Sequence, residues 1–133
     1  MKYMLDTNAC IALIKRKSAA VIERLTATEP GDAGISSVTL AELQYGVQKS
    51  AKVEQNALAL AEFLLPLEIA AFDPGAAEAY GGVRAALEKA GTPIGALDTM
   101  IGAHALSLGV TLVTDNTREF IRIPGLAVEN WLV

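Results

Sequence analysis

The sequence predicts an α/β fold in which helices cover both faces of a central, mostly parallel sheet of about four or five strands. Two observations carry this prediction. Short apolar segments rich in β-branched residues alternate along the chain with longer segments of helical periodicity. In addition, 52% of the 133 residues are hydrophobic, which is enough for a sizeable core without disulfides. Because the chain contains no repeat and no linker-like stretch, we expect residues 1–133 to form a single domain.

The predicted strands are short, and polar or turn residues follow them. They are placed at 2–5, 34–36, 67–72 and 110–114, with a last strand within 126–131. The predicted helices lie between them, at 9–17, 19–28, 52–65, 74–89 and 98–108. One further helix, capped by Ser37 or Thr39, carries Leu40, Leu43 and Val47 on one face.

Composition narrows the class of function. The net charge is −4, which argues against a broad basic surface for nucleic acid. Cys10 is the only cysteine, and its apolar surroundings predict a small buried side chain. A chain that cannot form an internal disulfide is expected in a reducing compartment, here the cytoplasm. No apolar run approaches the length of about 20 residues that crosses a membrane.

Acidic residues fall where the predicted strands and helices meet. Asp6 follows the first strand and Asp115 follows the strand at 110–114, while Asp98 opens a helix and Glu42 lies in one. In an open parallel sheet, ligands bind beyond the carboxyl ends of the strands, so these acids can meet at one edge. Mg²⁺ and Mn²⁺ prefer such oxygen ligands, and either ion can activate water for phosphodiester hydrolysis.

Each of these acids also has a structural interpretation. Asp6 and Asp98 are equally suited to cap helices, Glu42 to be a surface glutamate and Asp115 to be a turn residue. Among the four acids, a functional role is best supported for Glu42. Its helical neighbours are apolar, and an unpaired buried carboxylate is costly.

Four segments, taken in order, resemble the PIN-domain nucleases and, within them, the VapC toxins of type II toxin–antitoxin systems. The first begins with a short strand followed by Asp-Thr-Asn, the second contains Glu-Leu-x-x-Gly, the third carries Asp98, and the last runs from a strand into Thr-Asp-Asn. They are Met4–Ile11, Ile35–Gly46, Gly91–Ala105 and Leu112–Phe120. The resemblance covers essentially the whole chain and implies the PIN fold, a three-layer α/β/α arrangement.

The resemblance implies that Asp6, Glu42 and Asp98 bind the metal ion. The fourth acid stays open, because Asn116 occupies the position where many family members have aspartate. Asp115 is favoured as the fourth catalytic acid over Glu119, and Asn116 is a possible supporting residue.

Other side chains receive supporting roles. The resemblance implies that Thr7, Asn8 and Thr114 orient the acids through hydrogen bonds. His104 lies well round its helix from Asp98, so a structural role is expected for it rather than that of a general base.

The basic cluster has two interpretations. Lys15, Arg16 and Lys17 are either a solvated helix end or contacts for the phosphate backbone of RNA.

The activity implied by the resemblance is that of an endoribonuclease dependent on Mg²⁺ or Mn²⁺, which hydrolyses structured RNA, with tRNA a frequent target. It also implies a homodimer and a hetero-oligomer with a VapB-type antitoxin that blocks the site. One alternative is a catalytically inactive PIN-like module that binds RNA or protein, for which Asn116 is the main support. Aspartate-based phosphatases and receiver domains fit less well, because position 8 is asparagine and no receiver-type acid pair stands near the start.

Overall fold

The computed structural model describes residues 1–15 and 19–131. The strands of this part of the chain are β1 Tyr3–Leu5, β2 Ala33–Ser36, β3 Glu68–Ala70, β4 Thr111–Val113 and β5 Val128–Glu129. The helices described are α1 Thr7–Ile14, α2 Ala19–Ala27, α3 Ser37–Gln48, α4 Val53–Leu64, α5 Pro74–Lys89, α6 Ala96–Leu108 and α7 Thr117–Phe120.

The described strands form one sheet in the order β3-β2-β1-β4-β5, and every neighbouring pair is parallel. The central strand β1 aligns Met4 with Gly34 of β2 on one side and with Leu112 of β4 on the other. Since parallel neighbours need a crossover, each strand is followed by at least one helix before the next. The expected parallel α/β sheet is confirmed.

Helices cover both faces of the sheet, and each face has its own apolar core. Successive strand residues point to opposite faces, so Leu5 and Val113 enter one core while Met4 and Leu112 enter the other. The first core is completed by α1, α3 and α4, and Cys10 is buried in it as expected. The second is completed by α5 and α6. This is the three-layer arrangement expected from the sequence.

Several helix starts differ from the prediction because the capping residue differs. Helix α1 begins at Thr7, since Asp6 caps it. The expected caps of α3, Ser37 and Thr39, are wrong: the hydroxyl of Ser36 accepts the Val38 amide at 3.1 Å and is the cap. Ser37 Oγ instead accepts a hydrogen bond from the Phe72 amide at 3.0 Å, which ties α3 to the segment after β3.

The last strand, Val128–Glu129, lies within the predicted segment 126–131. One other helix start differs from the prediction. Helix α6 begins at Ala96 rather than at position 98, and Gly95 precedes it as the cap residue. Part of the predicted helix 9–17 lies outside the described residues, and the described part ends at Ile14.

The topological switch point of the sheet lies between β1 and β4. From β1 the chain adds β2 and then β3 on one side, and it later places β4 and β5 on the other. A crevice forms at such a switch point, because the connections after the two central strands lead away in opposite directions. The residues that follow β1 and β4 therefore border this crevice. Among the described residues, no helix combines the length and apolar composition needed to cross a membrane.

Candidate active site

Asp6 lies at the switch point, directly after β1. Its amide donates to the carbonyl of Val113 in β4 at 3.0 Å, which fixes the backbone between the two central strands. Its Oδ1 accepts the Ala9 amide at 2.8 Å, so it is also the N-cap of α1. The capping interpretation of Asp6 is thus correct, and it leaves the second carboxylate oxygen for other partners. The side chain is only 3% exposed.

Burial raises the pKa of Asp6 to about 6, because a carboxylate loses its hydration in the protein interior. Hydrogen bonds from the Thr114 hydroxyl and the Ala9 amide lower this pKa, but they do not offset the burial. The negative charges of Asp115 and Asp98 raise it further. Asp6 is therefore a buried acid with two other acids, Asp115 and Asp98, close enough to raise its pKa.

Glu42 reaches the same region from α3. It is half-buried, and its Oε1 accepts a hydrogen bond of 2.6 Å from the hydroxyl of Thr7, the first residue of α1. This short bond joins two residues 35 positions apart and sets the direction of the glutamate. The surface interpretation of Glu42 is not supported, and the expected orienting contact from Thr7 is present.

Asp98 lies in the first turn of α6 and does not cap it. The prediction that Asp98 caps this helix is therefore wrong. The side-chain hydrogen bond at this helix start instead runs from the Thr99 hydroxyl to the carbonyl of Gly95, at 2.8 Å. Partial burial raises the pKa of Asp98, and the charges of Glu42 and Glu119 raise it further. The pKa of Asp6 is thus raised by two acids, Asp115 and Asp98, and the pKa of Asp98 by two others.

The segment after β4 holds the two candidates for a fourth acid. Asp115 is exposed, whereas Glu119 is half-buried in α7. The side-chain amide of Asn116 donates to Glu119 Oε2 at 3.1 Å, and its backbone amide donates to Thr114 Oγ1 at 2.9 Å. Thr114 in turn bonds Asp6. A chain of hydrogen bonds thus runs from Asp6 through Thr114 and Asn116 to Glu119.

Asn116 was expected only as a possible supporting residue, and its contact places it beside Glu119, which its side-chain amide orients. The available signal was the spacing Thr114-x-Asn116, typical of a threonine hydroxyl that accepts a backbone amide two residues on.

Other predicted residues lie elsewhere or outside the described part. Asn8 is exposed in α1, and no contact with an acid is described for it. Lys15 is exposed at the C-terminal end of α1, while Arg16 and Lys17 lie outside the described residues. His104 is buried, and its Nδ1 lies 2.8 Å from Ser36 Oγ, a contact between α6 and the end of β2 that agrees with a structural role.

The acids do not form a preassembled metal cage. Among the described residues, no three His, Cys, Asp or Glu side chains converge closely enough to hold an ion by themselves. Mg²⁺ typically keeps several waters and binds through one or two carboxylates, so an open arrangement of oxygen donors is compatible with it. In the described part of the chain, none of Asp6, Glu42, Asp98 and Glu119 forms a salt bridge.

A cleft of about 470 Å³ opens beside Glu42, between α1, α3 and α4. Apolar side chains such as Ile11 and Leu43 form part of its wall, and Lys15 and Lys49 contribute amines. Glu42 therefore borders a cleft large enough to receive part of a ligand.

The fold and this set of acids correspond to a known class. Residues 3–126 match the PIN domain family. The chain belongs to the PIN-domain family.

Whole-chain relatives place it more narrowly. The tRNA(fMet)-specific endonuclease VapC of Shigella flexneri is 46% identical over 131 residues and is matched over 98% of both chains. The ribonuclease VapC2 of Rickettsia felis is 46% identical over 132 residues, again with 98% of both chains covered. At these identities the chain belongs to the VapC ribonucleases.

Solved structures agree with this placement. The crystal structure of DNA-bound VapBC from Salmonella typhimurium superposes with a TM-score of 0.94, 45% identity and 98% of both chains covered. VapBC2 from Rickettsia felis, bound to a DNA fragment from its promoter, gives a TM-score of 0.90 and 44% identity, covering 98% of this chain and 99% of that one.

The raised pKa of Asp6 predicts how stability responds to its replacement. Asp6→Asn keeps a side chain that can cap α1 but removes the buried charge, so the variant should be more stable than the parent at pH 7 without metal. A pKa of about 6 in the folded chain, against 3.8 for the free group, corresponds to a gain of up to about 3 kcal/mol. Denaturant unfolding in EDTA measures it.

The sign of the pH dependence follows from the direction of the shift. The folded chain binds the Asp6 proton more tightly than the unfolded chain, so the stability of the parent recovers as pH falls from about 6 towards 3.8. The advantage of Asp6→Asn should shrink over that range. Asp73→Asn is the matched control, because Asp73 caps α5 in the same way at an exposed position. An equal gain in both variants would contradict the assignment of a buried charge to Asp6.

Proposed function

We propose that this chain is an endoribonuclease that hydrolyses phosphodiester bonds with a divalent ion, Mg²⁺ or Mn²⁺, held by Asp6, Glu42, Asp98 and Glu119. The observation that carries the proposal is the gathering of acids from distant parts of the chain at the switch point of the sheet, without a salt bridge to any described residue. Asp6 and Asp98, whose pKa values are raised in part by neighbouring negative charges, would be stabilised by a cation between the acids.

The donor set fits a hard divalent cation, since all the proposed ligands are carboxylate oxygens. When bound, the ion supplies an activated water and stabilises the charge that develops on the phosphate. Asp6 has one oxygen fixed by the Ala9 amide, so its orientation is set by the start of α1. Thr7 holds Glu42 from the same helix. The two acids are therefore oriented before a ligand arrives, which reduces the reorganisation required on binding.

For the fourth acid we favour Glu119 over Asp115. Glu119 is half-buried, held by Asn116, and close enough to Asp98 to raise its pKa. Asp115 is exposed, and its charge acts on Asp6. We assign Asp115 to the outer part of the site, where it adds negative charge near the ion. Asn116 was the main argument for a catalytically inactive module. Because Asn116 donates a hydrogen bond to Glu119, this argument is weakened.

The substrate and partner follow from the relatives. A relative that is 46% identical is named a tRNA(fMet)-specific endonuclease, so we propose structured RNA, and tRNA in particular, as the substrate. Relatives of known structure are VapBC complexes bound to DNA, so we propose that a VapB-type antitoxin binds this chain and blocks its site. We further propose that residues 1–133 act as one domain, in a homodimer, in the cytoplasm.

The activity is tested by incubating purified total tRNA with the antitoxin-free protein in Mg²⁺, in Mn²⁺ and in EDTA. We expect cleavage with either metal and none in EDTA. Asp6→Asn and Asp98→Asn should each lose at least about a hundredfold in rate, because each removes a ligand of the ion. Because they are prepared identically, these two variants are also the controls for a contaminating nuclease, and Asp73→Asn, which caps α5, should cleave like the parent. Cleavage that survives in both active-site variants would contradict the proposal.

The fourth acid is tested by a pair of isosteric changes. Glu119→Gln should reduce the cleavage rate by about 10- to 100-fold, since it removes a charge beside Asp98. Asp115→Asn should have a clearly smaller effect, because the side chain is exposed and is not held by a described hydrogen bond to the site. Single-turnover rates at saturating metal measure both. A larger loss in Asp115→Asn would reverse the assignment.

A further inference from the structure

Helix α3 carries more than Glu42 on the side that borders the site. Tyr45 lies one turn further along and Lys49 ends the helix. Positions i, i+3 and i+7 share one face of a helix, so the three side chains follow one another along it. The distance from Glu42 to Lys49 along the axis is about 10 Å, which a strand of a few nucleotides can span.

Tyr45 is unusual because its large side chain is 66% exposed although it stands one turn from a proposed catalytic acid. The Lys49 ammonium lies 5.1 Å from the centroid of its ring, which is a cation–π contact. The ring packs on Lys49 but leaves most of its surface open, so it can stack against a ligand that reaches the neighbouring acids.

We propose that Tyr45 and Lys49 form a binding surface for single-stranded RNA next to the acids, the Tyr45–Lys49 surface. A base of the substrate stacks on the ring of Tyr45, and Lys49 contacts the neighbouring phosphate. The proposal rests on the proposed ribonuclease function. Because the acids repel the phosphates of RNA, other side chains must attract the strand to the site. Stacking on aromatic side chains accepts every base and requires only that the base be unpaired.

The surroundings of Lys49 fit an anionic strand. Lys49 also lines the cleft that begins at Glu42, where Lys15, Ser50 and Asn56 add an amine and two neutral polar groups. In a chain with a net charge of −4, amines beside a group of carboxylates give a local attraction for phosphate that the whole protein lacks. A nucleotide that stacks on Tyr45 would lie beside the one at Glu42, so this contact acts on the position of the scissile phosphate.

Binding is tested in the Asp98→Asn background, which does not cut, with a short single-stranded RNA of mixed sequence labelled with fluorescein, in Mg²⁺. Tyr45→Leu should weaken binding by about tenfold or more, because the isolated apolar side chain has no π face. Tyr45→Phe keeps the ring and should bind within about twofold of the parent. Lys49→Gln should weaken binding by about threefold or more and make it less sensitive to salt. Fluorescence anisotropy measures the affinities, and thermal melting verifies that each variant is folded.

Lys89→Gln is the matched control for the loss of one positive charge. Lys89 ends α5, which packs against the opposite face of the sheet from α4. It should leave the affinity unchanged. In the active protein, Tyr45→Leu should raise the KM for tRNA more than Tyr45→Phe does. If Tyr45→Leu binds the RNA as tightly as Tyr45→Phe, the proposal is overturned and the tyrosine serves another partner, such as a protein. Because binding is measured without cleavage, this result stands apart from any failure of the nuclease assay.

Discussion

The burial of a carboxylate at the end of the central strands, made more costly by neighbouring acids, is the constraint on which the candidate site depends. Asp6 is buried after β1, Asp98 of α6 lies close enough to raise its pKa, and Glu42 of α3 in turn raises the pKa of Asp98. An interior charge is costly even alone, and further charges of the same sign add to that cost. The fold must therefore hold these residues in place against their own electrostatics.

The surrounding structure meets this requirement with fixed hydrogen bonds. Asp6 is held by the start of α1 and by the amide that joins β1 to β4, while Glu42 is held by Thr7. Glu119 is held by Asn116, whose own backbone is tied to Thr114. In each case the hydrogen-bond donor belongs to a helix start or to a turn of the fold, and it orients an acid. Structural and functional roles consequently coincide in the same residues, and Asp6 is both a helix cap and a member of the site.

Much of this arrangement was predictable from the sequence. The strand and helix order followed from short apolar runs and caps, and the parallel sheet then brought the segments after β1 and β4 together. Asp6, Glu42 and Asp98 were candidate site residues from the sequence, and the structure brings them to one region. The helix starts were less predictable, because Ser36, Ser37 and Thr39 are all adequate caps and tertiary packing selected among them.

The sequence did not decide between Asp115 and Glu119 as the fourth acid, and it did not show that Asn116 contacts Glu119. Asp115 and Glu119 are four residues apart, and only the turn after β4 determines which of them points towards Asp98. The exposure of Tyr45 was also invisible, since a tyrosine between Leu43 and Val47 on an amphipathic helix is as suited to the core as to the surface. Such details depend on side-chain directions that periodicity alone does not define.

The most direct test of this account is the change in melting temperature on adding Mn²⁺ or Mg²⁺ at neutral pH to the antitoxin-free protein. If the gathered acids are stabilised by a cation, metal at one hundred times its dissociation constant should add about 2.7 kcal/mol, a rise on the order of 10 °C for a chain of this size. Asp98→Asn should lose most of that rise, and the distant Asp73→Asn should keep it. An unchanged melting temperature in the parent, or an equal rise in all three proteins, would contradict the account.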